Sequence, residues 1–217
     1  MNTATERVQV EGPAGPIECA IDSPSAGAPG SPLRGTAVLC HPHPLHGGTM
    51  DNKVVMTLAR TFVQLGWRSA RFNFRGIGAS VGQWDQGRGE VDDALAVVTA
   101  LRLPSLPLVL GGFSFGGYVA TQAAARLAAA GDDQRAQRLV LVAPAAGNFT
   151  LAAVPADTIV VHGEIDEVVP LQAVLDWARP QSLPITLVPG AGHFFHGQLT
   201  LLKQIVTAAF APTAALP

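Results

Sequence analysis

Short apolar runs alternate with helical segments along this chain, and that regularity leaves few folds open. Residues 36–40 form a continuous apolar run of the kind that a strand buried on both faces requires. Further strands are predicted over residues 67–74, 106–110, 139–142, 158–161 and 185–188. Between them, helical spacing covers residues 52–65, 90–101, 114–130, 171–178 and 198–210, with Gly66 and Gly131 as stops. Strictly alternating strands and helices imply a mostly parallel, twisted sheet with helices on both faces. Two earlier runs, 8–10 and 17–21, are joined through Gly12, Pro13 and Gly15 and predict an antiparallel edge hairpin. Residues 23–35, rich in Pro, Gly and Ser, predict a surface loop. No repeat or second domain is visible, so residues 1–217 are expected to form one α/β domain.

Composition narrows the functional classes. Of 217 residues, 48% are hydrophobic and 14% charged, enough to fill a core and too few charges for a disordered polyelectrolyte. The formal net charge of −2, from scattered residues, offers neither a nucleic-acid footprint nor a polybasic membrane face. The polar residues 1–7 lack the apolar core of a signal peptide, and no apolar run reaches bilayer-spanning length, so a cytoplasmic protein is expected. Cys19 and Cys40 fall in strand-like runs and are expected to be reduced, packed thiols.

In such a sheet, reactive groups gather at the carboxyl ends of the strands. Gly112-Phe113-Ser114-Phe115-Gly116 stands at that point, directly after one strand and before a helix, and fits the G-x-S-x-G nucleophile elbow. A sharp strand-to-helix turn crowds the positions two before and two after the serine, hence the glycines. It also leaves the hydroxyl exposed above the helix N-terminus. The plainer alternative is a glycine-rich turn with Ser114 as a helix N-cap.

With these residues in view, the chain resembles α/β-hydrolase-fold proteins along nearly its whole length. It is most similar to the small bacterial group with a His-Pro-x-Pro type loop that is usually called predicted hydrolases. The resemblance implies the chain order nucleophile, acid, histidine. His193 matches the histidine in the family's Gly-x-Gly-His loop, at Gly190, Gly192 and His193. His196 is the competitor and is expected in the first turn of the last helix. Asp166 matches the acid in the strand and His-Gly-x-x-Asp turn that begins at His162. The alternative acid position, among residues 143–148, holds no carboxylate. Glu164 and Glu167 are expected to lie on a solvated turn, and His162 to be structural.

His41, His43 and His46 have a spacing that zinc could use, but the interleaved Pro42 and Pro44 stiffen the segment and no further ligand cluster accompanies it. No metal and no cofactor are therefore expected. The segment is better assigned as the oxyanion loop. The family's second oxyanion donor follows a glycine that is Pro42 here, so the matching donor is the N–H of His43, and the first is the N–H of Phe115. Arg75, in an Arg-Gly-x-Gly-x-Ser turn, is expected to bond loop carbonyls.

The expected function is a serine hydrolase of carboxylesterase type, cleaving small-molecule esters or thioesters with modest or extended acyl groups through an acyl-enzyme, with no nucleic-acid or membrane partner. A non-catalytic binding protein on the same fold is the rival, and an acyltransferase or a peptidase would use the same residues. Too few residues separate Val142 from Thr158 for a helical cap, so no cap domain and an open site are expected. Leu45, Trp84, Phe113, Phe115, Phe149, Phe194 and Phe195 are candidate apolar walls. Nothing in the sequence fixes an oligomeric state.

Overall fold

The computed structural model describes residues 5–25 and 32–211. The extreme N-terminal residues 1–4 and the middle of the expected 23–35 loop, residues 26–31, lie outside the described residues. The strands are β1 (Glu6–Gly12), β2 (Gly15–Asp22), β3 (Thr36–Cys40), β4 (Arg68–Phe72), β5 (Leu108–Phe113), β6 (Arg138–Val142), β7 (Ile159–Gly163) and β8 (Thr186–Val188). The helices are α1 (Lys53–Gln64), α2 (Arg88–Leu101), α3 (Phe115–Ala130), α4 (Leu171–Ala178) and α5 (Leu199–Phe210).

The strands form one eight-stranded sheet in the order β1-β2-β4-β3-β5-β6-β7-β8. β1, β2 and β4 pair antiparallel, which places the expected hairpin at the sheet edge, and every other pairing is parallel. From β3 the chain crosses first to β4 on one side and then to β5 on the other. The crevice opened by that reversal is where open α/β sheets bind ligands, and the loops after β3 and β5 both rise beside it.

Side chains alternate between two cores, as strand pleating requires. Val38, Leu108, Leu110, Leu139 and Leu141 pack with α2 and α3 residues such as Val97 and Val119. Ala37, Leu39, Val109, Val140 and Val142 face the other way, against Leu58 and Phe62 of α1 and Leu202 and Val206 of α5. Each central strand is thus buried on both faces, which is why these runs are apolar without interruption.

Strand limits depart from the sequence expectation where partners decide them. β5 runs on through Gly111, Gly112 and Phe113 because β6 pairs with all three. β4 stops at Phe72, and the Phe74 N–H bonds to a histidine ring instead of a strand. Between β6 and β7 no helix intervenes. Among the described residues no helix is long and apolar enough to cross a membrane.

Candidate active site

Ser114 is the hinge between β5 and α3, with φ 55° and ψ −119°, a conformation that an L-residue adopts only under constraint. The constraint comes from neighbouring backbone. The Ser114 N–H donates to Val142 O at 3.0 Å, and its carbonyl accepts from Gly117 N at 2.9 Å and Ala145 N at 3.1 Å. A Cβ at Gly116 would overlap the Cys40 and His41 carbonyls, so only glycine lets α3 start against the end of β3. Phe115 is the first residue of α3, where an N–H has no partner within the helix. That free donor and the helix dipole lie beside the serine.

Asp166 and His193 come from the turns after β7 and β8, and the structure brings them together. His193 Nδ1 stands 2.7 Å from Asp166 Oδ2, both side chains almost wholly buried. A carboxylate partner puts the proton on Nδ1 and leaves Nε2 with a free lone pair. Asp166 Oδ1 accepts from Val168 N at 2.9 Å and Val169 N at 2.7 Å. Burial pushes the Asp166 carboxyl up. The hydrogen bonds from His193 and Val169, the His193 charge and the Val168 amide outweigh it, so the group is held below its ordinary value and stays ionised. The His193 ring packs against Phe113, the residue before the serine, with ring centroids 4.8 Å apart. Among the described residues no hydrogen bond joins Ser114 Oγ to the ring. Such contacts commonly close only around substrate.

The three histidines after β3 separate into three roles. His41 is fully buried; its Nδ1 donates to Pro42 O at 2.6 Å and its Nε2 accepts from Phe74 N at 3.0 Å, which pins the loop to the end of β4. Burial pushes its pKa down to about 4, against a smaller upward pull from the Pro42 carbonyl. His43 is half-buried in an aromatic group, its ring 4.5 Å from His46, 4.6 Å from Trp84 and 5.1 Å from Phe115. Burial and the neighbouring His46 both lower its pKa, which favours the neutral ring. His46 is exposed. The loop closes tightly, since His43 O accepts from His46 N at 3.1 Å and Gly48 N at 3.0 Å. A Cβ at Gly48 would strike the Pro42 and His43 carbonyls, so Gly48 serves the loop's own closure.

Several expectations need correction. Among the described residues Arg75 bonds no loop carbonyl: Nε and Nη2 grip the Asp93 carboxylate at 3.0 and 2.7 Å, and its own N–H adds a third bond. Charge pairing inside the protein wins over neutral carbonyls, and it fixes the loop carrying Trp84 to α2. His196 precedes α5 instead of opening it, because the chain turns at Phe195 (φ 51°) and the helix starts only after Gln198. Phe195 is no pocket wall; it is fully buried among α5 and β7 residues, while Phe194 is exposed beside His193. Glu164 and Glu167 are exposed, yet both do more than solvate a turn. Glu164 Oε2 accepts from Gly190 N at 2.8 Å, and Glu167 Oε2 from His193 N at 3.4 Å. The only advance signal was that both flank Asp166.

Cys19 and Cys40 are free and buried, and burial above all pushes both thiols up, Cys19 to about 12. Among the described residues no group of three or more His, Cys, Asp or Glu could hold a metal ion.

A strained serine between strand and helix, with a carboxylate-bound histidine from the loop after the last strand, defines the α/β-hydrolase architecture. Comparison with known proteins agrees. Residues 37–148, more than half of the chain, match the family described as serine aminopeptidase, S33. A crystal structure from Xanthomonas campestris, described as an α/β serine hydrolase without a lid, is 38% identical, with 100% of this chain and 99% of that chain covered and a TM-score of 0.85. An α/β serine hydrolase homologue from Coxiella burnetii is 37% identical over 97% of this chain and 100% of its own, with a TM-score of 0.79. An uncharacterised protein of Rickettsia prowazekii (strain Madrid E) is 32% identical, covering 87% of this chain and 82% of the relative. This chain belongs to the α/β-hydrolase superfamily, among its serine hydrolases.

Proposed function

We propose that this hydrolase cleaves carboxylic esters or thioesters of modest acyl size through an acyl-enzyme on Ser114. The single observation that carries the reading is the 2.7 Å contact of His193 Nδ1 with Asp166, in the loops that flank the strained Ser114 elbow. Ser114 Oγ attacks the acyl carbonyl while His193 Nε2 takes its proton, and Asp166 stabilises the imidazolium. The oxyanion accepts hydrogen bonds from the N–H groups of Phe115 and His43. Collapse expels the alcohol or thiol, which leaves with the proton from His193; water, deprotonated by the same ring, then releases the acid and restores the serine. The residues in the proposed roles supply every proton transfer without a cofactor.

The absence of a helix between β6 and β7 supports an open site. Leu45, 63% exposed on the loop after β3, and Phe194, 41% exposed beside His193, support an apolar substrate. A peptidase reading draws on the family's description as serine aminopeptidase.

The test is turnover of p-nitrophenyl esters from acetate to decanoate, alongside aminoacyl p-nitroanilides, with fluorophosphonate labelling in parallel. The expected result is ester turnover and labelling at Ser114, both lost in Ser114→Ala, with turnover falling on the order of a millionfold. Anilide cleavage exceeding ester cleavage would replace the esterase with the peptidase. Equal rates in wild type and Ser114→Ala would remove Ser114 from the reaction.

A further inference from the structure

His162 has no part in the proposed chemistry, yet its ring is fully buried beside the carboxylate that orients His193. Its Nε2 lies 3.0 Å from Val169 O and 3.7 Å from Asp166 Oδ2. Facing two acceptors, Nε2 carries the ring proton and donates to Val169. Among the described residues the other nitrogen, Nδ1, is buried with no hydrogen-bond partner. An apolar side chain of similar volume would fill this space without that unsatisfied atom. The imidazole therefore earns its place through the one bond that it makes.

That bond closes a clamp. Val169 donates its N–H to Asp166 Oδ1 at 2.7 Å and is held at its carbonyl by His162. We infer that His162 is a positioning residue: by gripping Val169 it fixes the turn whose amides set the Asp166 carboxylate against His193. The inference rests on the proposed roles of Ser114, His193 and Asp166. Among the described residues, the titratable groups that face the ring are Asp166 and His193. Burial favours the neutral ring against the pulls of Asp166 and the Val169 carbonyl, and Nε2 keeps its proton whether the ring is neutral or charged, so the donor bond persists while His193 cycles.

The experiment is the rate of fluorophosphonate labelling at Ser114 against pH, for wild type, His162→Leu and His162→Gln, with His162→Phe as a second apolar variant. A misplaced carboxylate costs reactivity on the order of a hundredfold. The apolar variants are expected to label slower by that order. Their acid limb should move to lower pH, because a displaced Asp166 stabilises the His193 imidazolium less. His162→Gln, which keeps an N–H donor at the same reach, should recover most of both. An apolar variant with the wild-type rate and acid limb would overturn the inference while leaving the site reading intact. Equal slowing in the apolar variants and in His162→Gln would also overturn it, as would unfolding of all three. Wild type that fails to label at Ser114 would overturn the site reading and this inference together.

Discussion

His193 and Asp166 lie 27 residues apart in sequence and 2.7 Å apart in space, joined from Nδ1 to Oδ2 with both groups screened from water. The contact fixes which ring nitrogen is free. Asp166→Asn keeps the shape of the acid but offers an N–H where the ring needs an acceptor, and it favours the wrong tautomer. Turnover should fall on the order of ten-thousandfold with KM little changed, as measured by steady-state ester hydrolysis. A loss below about tenfold would mean that the carboxylate is not orienting the ring.

The backbone of His43 allows its proposed donor to be removed without removing the loop. At φ −54° and ψ 120° the residue already has a conformation that proline adopts. His43→Pro deletes the N–H, whereas His43→Ala deletes the ring and keeps the N–H. Loss of one oxyanion donor is expected to cost about 100- to 1000-fold in kcat, so the proline variant should fall by that much and the alanine variant by less than about tenfold. Equal rates in the two variants would take the His43 amide out of the oxyanion hole.

Much of the site was legible in the sequence because its physics is local. An apolar strand, two spaced glycines and a helix specify the Ser114 elbow within one turn of chain. Glycine-framed His193 and the Asp166 turn are equally compact, and each lies just after a strand, where the fold gathers loops. What was not legible depends on which loops meet. Arg75 finds Asp93 and Glu164 finds Gly190 only once the sheet has placed their elements side by side. Phe194 and Phe195 look alike in sequence; a turn with positive φ at Phe195 sends one ring into the core and leaves the other at the surface. The spacing of His41, His43 and His46 is one that zinc could use, and only the fold shows how they divide: His41 is buried alone at the end of β4, while His43 stacks on the exposed His46 at 4.5 Å.

Glu164 and Glu167 tie the histidine loop to the Asp166 turn through the amides of Gly190 and His193. Both carboxylates are exposed, so each bond is weak, and the pair acts on the loop's mobility more than on global stability. The double variant Glu164→Ala, Glu167→Ala should show faster hydrogen exchange over residues 190–193 and a severalfold lower kcat, with Tm nearly unchanged. Unaltered exchange at those amides would show that the loop is held by its packing alone.

The pH dependence of stability should carry the mark of His41. Its pKa is depressed from 6.5 to about 4 in the fold because the ring is buried, against a smaller upward pull from the Pro42 carbonyl, and the neutral ring leaves Nε2 free to accept from Phe74. Between pH 6.5 and 4 the unfolded chain therefore binds a proton that the folded chain refuses, and stability falls as pH falls through that window. Above it the effect vanishes, and below it both states are protonated and no further loss accrues. The full effect is about 3 kcal/mol. His43 and His162 are shifted in the same direction, so the wild-type slope is a sum, and a variant is needed to isolate one ring. His41→Gln offers a carbonyl to the Phe74 N–H and an amide to the Pro42 carbonyl, with nothing to titrate. Its Tm, followed by calorimetry, should fall less steeply from pH 6.5 to 4 than that of wild type. Parallel curves would mean that the His41 ring accepts its proton in the folded state, and that the contact to Phe74 does not hold the loop as described.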